Sequence, residues 1–73
     1  MLLSEAPEGS IVRVKRLLGG SMALRKLMEL GIREGSTIKV IRNAYIGPVI
    51  VEVEGSQIAL GRGLASKVEV EVV

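Results

Sequence analysis

The sequence predicts a mainly β fold, a small and partly open barrel of about five strands with one short inserted α-helix, as a single domain over residues 1–73. Three observations lead there. Hydrophobic residues make up 48% of the chain and are almost entirely aliphatic, Tyr45 being the sole aromatic, so the core must be Val, Ile and Leu, a composition that favours pleated sheet. Apolar and polar residues alternate in several short runs, the period of half-buried strands. A chain of 73 residues buries only about 60% of its unfolded surface, and closing a short sheet on itself removes most exposed edges.

The elements follow in order. Leu3-Ser4-Glu5-Ala6-Pro7-Glu8-Gly9 reads as a turn, with Leu3 tucked under the body and Pro7 and Gly9 closing the approach to the first strand. That strand, Ser10 to Leu17, turns Val12 and Val14 inward and Arg13 and Lys15 outward. Gly19-Gly20 breaks it, and Ser21 is placed to cap a helix from Met22 to Leu30 whose apolar side carries Ala23, Leu24, Leu27 and Met28. Gly31 suits the left-handed residue of a Schellman stop, with Ile32 folding back on Leu27. Gly35 supplies a second positive φ before the next strand.

Thr37 to Asn43 is the second strand, with Ile38 and Val40 inward and Arg42 leaving the pattern near the rim. The loop Ala44-Tyr45-Ile46-Gly47-Pro48 leads to a third strand, Val49 to Val53, with valines inward and Glu52 and Glu54 outward. Gly55-Ser56 is read as a hairpin turn, and Gln57 to Leu60 as a fourth strand with Ile58 and Leu60 inward. Gly61 to Lys67 is too rich in glycine for a strand, so a single 3₁₀ turn is expected there. Val68 to Val72 closes the fold, with Val68, Val70 and Val72 on one face and Glu69 and Glu71 on the other.

Composition also excludes functions. Without cysteine or histidine the chain has no disulfide and lacks the side chains that normally hold zinc, haem or iron–sulfur centres, so no cofactor is expected. Aspartate is absent too, and no phosphate-binding Gly-x-x-x-x-Gly-Lys-Ser/Thr loop occurs, so no catalytic residues are assigned. The net charge of +2 is a slight basic bias. Its bases lie scattered among glutamates with no Phe or Trp for stacking, unlike a nucleic-acid binder. No uncharged apolar run approaches the roughly 18 to 20 residues of a membrane span, so no direct membrane insertion is expected. Met1-Leu2-Leu3-Ser4-Glu5 does not read as a signal peptide, and a cytoplasmic location is expected.

The pairs Glu52 with Glu54 and Glu69 with Glu71 each project from one sheet face. They read as the solvated side of antiparallel strands, facing Arg13, Lys15 or Lys39, rather than as a cation site, so no metal ligands are assigned. Gly61-Arg62-Gly63 reads as structural turn glycines rather than a phosphate cradle. Lys15, Arg16, Arg25 and Lys26 either gather into a basic patch near the helix start or, as such charges do more often, keep a small domain soluble. Leu17, Leu18, Met22, Tyr45 and Ile46 exceed what the alternating residues leave room for. Either they form an exposed apolar patch of the kind that marks an interface, or Tyr45 and Ile46 cap an open barrel end.

Leu3-Ser4, Pro7-x-Gly9, Gly19-Gly20, Leu27-Met28-Glu29-Leu30-Gly31-Ile32, Gly35-Ser36 and Gly55-x-x-Ile58-Ala59-Leu60-Gly61-Arg62 ahead of Ala65, in this order and spacing, resemble the FeoA family of ferrous iron transport accessory proteins. Two positions depart from the commonest pattern: Lys26 stands where arginine is frequent, and Gly61 where a second base often accompanies Arg62. Lysine does not reproduce the planar fork of arginine. The resemblance implies an SH3-like barrel and a cytoplasmic, non-enzymatic partner of the large membrane ferrous iron transporter that carries a GTP-binding domain, the FeoB type.

The same barrel resembles the C-terminal domain of iron-dependent repressors. That leaves an alternative, a free-standing peptide-binding or regulatory module; no helix-turn-helix segment is legible for a whole repressor. The expected partner-binding residues are Leu17, Leu18, Met22, Arg25, Lys26, Tyr45 and Ile46. Barrel edges and apolar loops also leave room for a homo-oligomer.

Overall fold

A computed structural model describes all residues from Met1 to Val73. A 3₁₀ turn, Leu3–Glu5, precedes β1 (Ile11–Leu17), α1 (Ser21–Glu29), β2 (Thr37–Arg42), β3 (Val49–Val53), β4 (Ser56–Leu60), α2 (Arg62–Ala65) and β5 (Val68–Val72). The strands form one antiparallel sheet in the order β4-β3-β2-β1-β5. The fold is therefore the expected partly open barrel with a short inserted helix.

Alternation builds the core as the strand periodicity requires. Val12, Val14, Ile38, Val40, Val49, Val51, Val53, Leu60, Val68 and Val70 are buried, joined by Leu3, Ala6, Leu27, Ile32 and Ala65, and no polar side chain is buried among them. Two register shifts curl the sheet: Lys15 is the extra residue on β1 opposite β5, and Ile41 the extra residue on β2 opposite β3. Such bulges strengthen the local twist and bend the strand. A sheet this short closes toward a barrel by this means.

The helix stop is a Schellman motif. Gly31 has φ 85°; its N–H donates to Met28 O at 3.0 Å, and the Ile32 N–H donates to Leu27 O at 2.9 Å. Leu27 and Ile32, both fully buried, provide the apolar contact that accompanies it.

Several expectations are corrected. Ser21 is the first helical residue; Gly20 is the cap, its carbonyl accepting the Leu24 N–H at 3.0 Å with no side-chain cap bond. The hairpin turn is Glu54-Gly55, with φ 52° and 84°, and Ser56 already pairs with Val53. Positive φ at both central residues is the type I′ geometry whose twist matches that of the strands.

Residues 62–65 form an α-type turn rather than 3₁₀, since the Ala65 N–H bonds Gly61 O and the Ser66 N–H bonds Arg62 O, both at 2.9 Å. Val72 is half exposed instead of inward, because β5 runs on past Val70, the last residue its N-terminal neighbour covers. On α1 only Leu27 is fully buried; Ala23 and Leu24 are half-buried and Met28 is exposed. A helix of nine residues has too little length to bury its whole apolar side.

Candidate protein-docking surfaces

The seven residues expected at an interface fall into two groups. β1 and β2 run antiparallel, so the end of β1, which leads to α1, and the end of β2, which leads to the 43–48 loop, lie at opposite ends of the sheet. Leu17, Leu18, Met22, Arg25 and Lys26 belong to the first end, Tyr45 and Ile46 to the second. The signal was in the sequence: each antiparallel strand reverses direction, so loops after successive strands alternate between ends.

At the first end, Met22, Arg25 and Lys26 with Ser21 and Glu29 border a shallow depression of about 390 Å³ along the outer side of α1. Met22 is 86% exposed there, at the turn where the helix leaves Gly19-Gly20. Leu17 is half-buried against the core and, with Leu24, Met28, Arg33 and Glu34, lines a groove of about 290 Å³ between helix and strand. Leu24, Met28, Arg33 and Glu34 were not anticipated. Helical spacing assigns the first two to the core, and only packing reveals that the sheet is too small to cover them.

At the second end, Tyr45 is 97% and Ile46 89% exposed. They do not cap the barrel; they stand outside it. The base of their loop is nonetheless fixed. Arg62 Nη2 donates to Asn43 Oδ1 at 2.6 Å and also to the Ala44 carbonyl, while Arg62 Nη1 donates to Ser4 O at 3.3 Å. Asn43 Nδ2 donates to Ser4 O and Ala6 O at 3.0 and 2.8 Å, and the Asn43 N–H donates to a Glu8 carboxylate oxygen at 2.8 Å. One arginine thus ties α2, the N-terminal segment and the β2–β3 loop together, through the fork geometry that lysine lacks. Neither Arg62 nor Asn43 was anticipated as a site residue, and only the Gly61-Arg62 sequence signal hinted at the first.

The strand carboxylates are dispersed. Glu54 has left β3 for the turn, so it forms no pair with Glu52, which stands opposite Lys39. Glu71 stands opposite Arg13. Glu69 takes Arg16 rather than Lys15 as its partner, because the bulge shifts the register: Arg16 Nε donates to Glu69 Oε1 at 3.0 Å. That hydrogen bond holds the Glu69 carboxyl below the usual range against partial desolvation, with the charges of Arg16, Lys15 and the amino terminus adding to it; the Arg16 guanidinium is raised correspondingly. No group of three or more His, Cys, Asp or Glu side chains gathers in the molecule, and no helix is long and apolar enough to cross a membrane.

The geometry is thus that of a compact scaffold presenting apolar and basic side chains at two ends, and its relatives share that scaffold. A protein of Methanocaldococcus jannaschii, provisionally described as Fe(2+) transport protein A, is 51% identical over 69 residues, which cover 94% of this chain and 83% of that protein. The crystal structure of an iron uptake regulatory protein, FeoA, superposes with a TM-score of 0.95 at 38% identity, covering 100% of this chain and 97% of that one. The zinc-complexed FeoA of Stenotrophomonas maltophilia, described as a prokaryotic SH3 domain protein, superposes with a TM-score of 0.84 at 26% identity, covering 97% and 89%. A manganese-dependent transcriptional repressor shares the fold alone, with a TM-score of 0.90 at 21% identity over 41% of its length. The FeoA domain model matches residues 1–72, and the chain belongs to the FeoA family, an accessory family of ferrous iron transport.

Proposed function

We propose that this protein is a non-enzymatic cytoplasmic accessory factor that docks on the cytosolic, GTP-binding part of an FeoB-type ferrous iron transporter. The observation that carries the reading is the α1 end of the barrel, where a methionine 86% exposed borders a depression with Arg25 and Lys26, while a separate groove is lined by Leu17, Leu24 and Met28. An exposed apolar side chain rimmed by charge is the anatomy of an interface. The Stenotrophomonas relative is described as a candidate ferrous iron transport activating factor, a role that fits the same reading. Docking alters the transporter only if one of its conformations binds the barrel more tightly than another.

The test is a pull-down against the transporter's cytosolic region with Met22→Glu and Tyr45→Glu variants, each first shown to fold. Met22→Glu is expected to weaken capture by about tenfold or more, as loss of a central contact does, and Tyr45→Glu to leave it close to wild type. No association of the unaltered protein at low salt would overturn the reading. The alternative, a regulatory module of the repressor C-terminal type, has the shared fold as its support.

A further inference from the structure

The two edges of the sheet are finished differently. On β5 the edge is occupied: the Val70 N–H donates to Met1 O at 2.7 Å, the amino terminus donates to Val70 O at 3.1 Å, and Leu2 bridges Glu69. β5 also carries Glu69, within that cover, and Glu71, past it, charges of the kind that discourage strand addition. On β4 the edge is bare. Ser56-Gln57-Ile58-Ala59-Leu60 contains no charge and no proline, and its pairing with β3 runs without a bulge from Ser56 to Leu60.

The type I′ turn fixes which backbone groups are free. Val53 and Ser56 flank it and form a hydrogen-bonded pair, so by alternation Ile58 and Leu60 also bond β3, while Gln57 and Ala59 turn their N–H and C=O groups to the open side. These groups have no partner elsewhere in the chain, and both residues are exposed.

We propose that β4 pairs antiparallel with β4 of a second copy of this chain, about a two-fold axis at Ile58, to make a continuous sheet across a weak homodimer. The occupant follows from the strand itself. With the axis at Ile58, Gln57 of each copy meets Ala59 of the other, the arrangement in which all the outward amides and carbonyls of the two strands bond one another. No like charges face each other, whereas an equivalent β5 pairing would gather glutamates.

The half-buried Ile58 meets its own counterpart, covering apolar surface that the monomer leaves in water. At the ends of the pairing Gly55 would stand opposite Gly61, and a Cβ at either position would touch nothing, so neither end is obstructed. Arg62, the next residue, is drawn back toward Asn43 and Ser4. The inference goes beyond transporter docking and does not rest on it. A strand of five residues buries little compared with a standard interface, so the dimer is a transient one.

The test is a dilution series of the whole chain followed by sedimentation velocity and by amide chemical shifts. The expected result is concentration-dependent dimerisation toward millimolar protein, with shifts centred on Gln57–Leu60 and their β3 neighbours. Ala59→Pro removes an outward N–H that the β3 ladder does not use, and is expected to raise the dissociation constant by about tenfold or more. If that variant fails to fold, a charge pair reads the same register. Gln57→Lys with Ala59→Lys sets like charges opposite and abolishes the dimer, and Gln57→Lys with Ala59→Glu sets opposite charges there and retains it. A chain monomeric up to millimolar concentration, shifts centred on another surface, or dimerisation indifferent to these substitutions would each overturn the proposal.

Discussion

Glu54 is the one non-glycine residue with a left-handed backbone, φ 52°, and it sits at the first position of a type I′ turn, where asparagine is preferred because its short polar side chain tolerates that region. Glu54→Asn is therefore expected to stabilise the protein by about 0.5–1 kcal/mol, an increase of roughly 4–8 °C per kcal/mol in Tm for a domain of this size, read by thermal denaturation. A second residue-scale effect concerns Glu69, whose carboxyl Arg16 holds below its ordinary value. A depressed folded pKa contributes stability above the unfolded value, and that contribution is lost as pH falls through the folded one. The stability difference between wild type and Glu69→Gln should accordingly be constant from neutral pH down to the ordinary glutamate range and shrink below it. Salt should reduce it at neutral pH, because the pair is exposed. A difference that grew on acidification would contradict this assignment.

Among the elements, α1 depends most on its exit. Gly31 has φ 85°, and a Cβ there would lie 3.2 Å from Glu54 Oε1, so Gly31→Ala combines backbone strain with a crowded approach to the hairpin. A loss of about 1–2 kcal/mol is expected, measurable by urea denaturation with the slope unchanged. This stop was legible in advance, because a left-handed glycine followed by an apolar residue is a local signal that tertiary context seldom overrides. Val49–Val53 was legible to the residue for a similar reason, its alternation and burial agreeing at every position.

What escaped were features that need a neighbour to exist. An extra residue at Lys15 or Ile41 leaves the alternation nearly intact and shows only in pairing, yet it decides that Arg16 and not Lys15 meets Glu69. Periodicity likewise gave the apolar side of α1 but not its depth of burial, and so Leu24 and Met28, placed in the core by spacing, prove to line the candidate groove.

Across the whole molecule the barrel separates two surfaces built on different principles. The α1 end is held by apolar packing through Leu27 and Ile32, and the Tyr45–Ile46 end by the polar clamp of Arg62 and Asn43. Because the clamp's partners are Ser4, Ala6, Glu8 and Ala44 and none of them lies on α1, disturbing it should loosen one end alone. Arg62→Met keeps the aliphatic stem and removes the fork, leaving the Asn43 side-chain carbonyl and the Ala44 carbonyl without this donor, while Ser4 O keeps the Asn43 amide. It is expected to cost about 1–3 kcal/mol and to raise amide hydrogen exchange over residues 4–8 and 43–48, while protection in α1 falls only by the global change. Arg62→Lys should restore little, since a single ammonium nitrogen does not reach both positions that the guanidinium serves with Nη1 and Nη2. Equal loss of protection at both ends would mean that the barrel opens as one unit, and that contacts at its two ends cannot be varied independently.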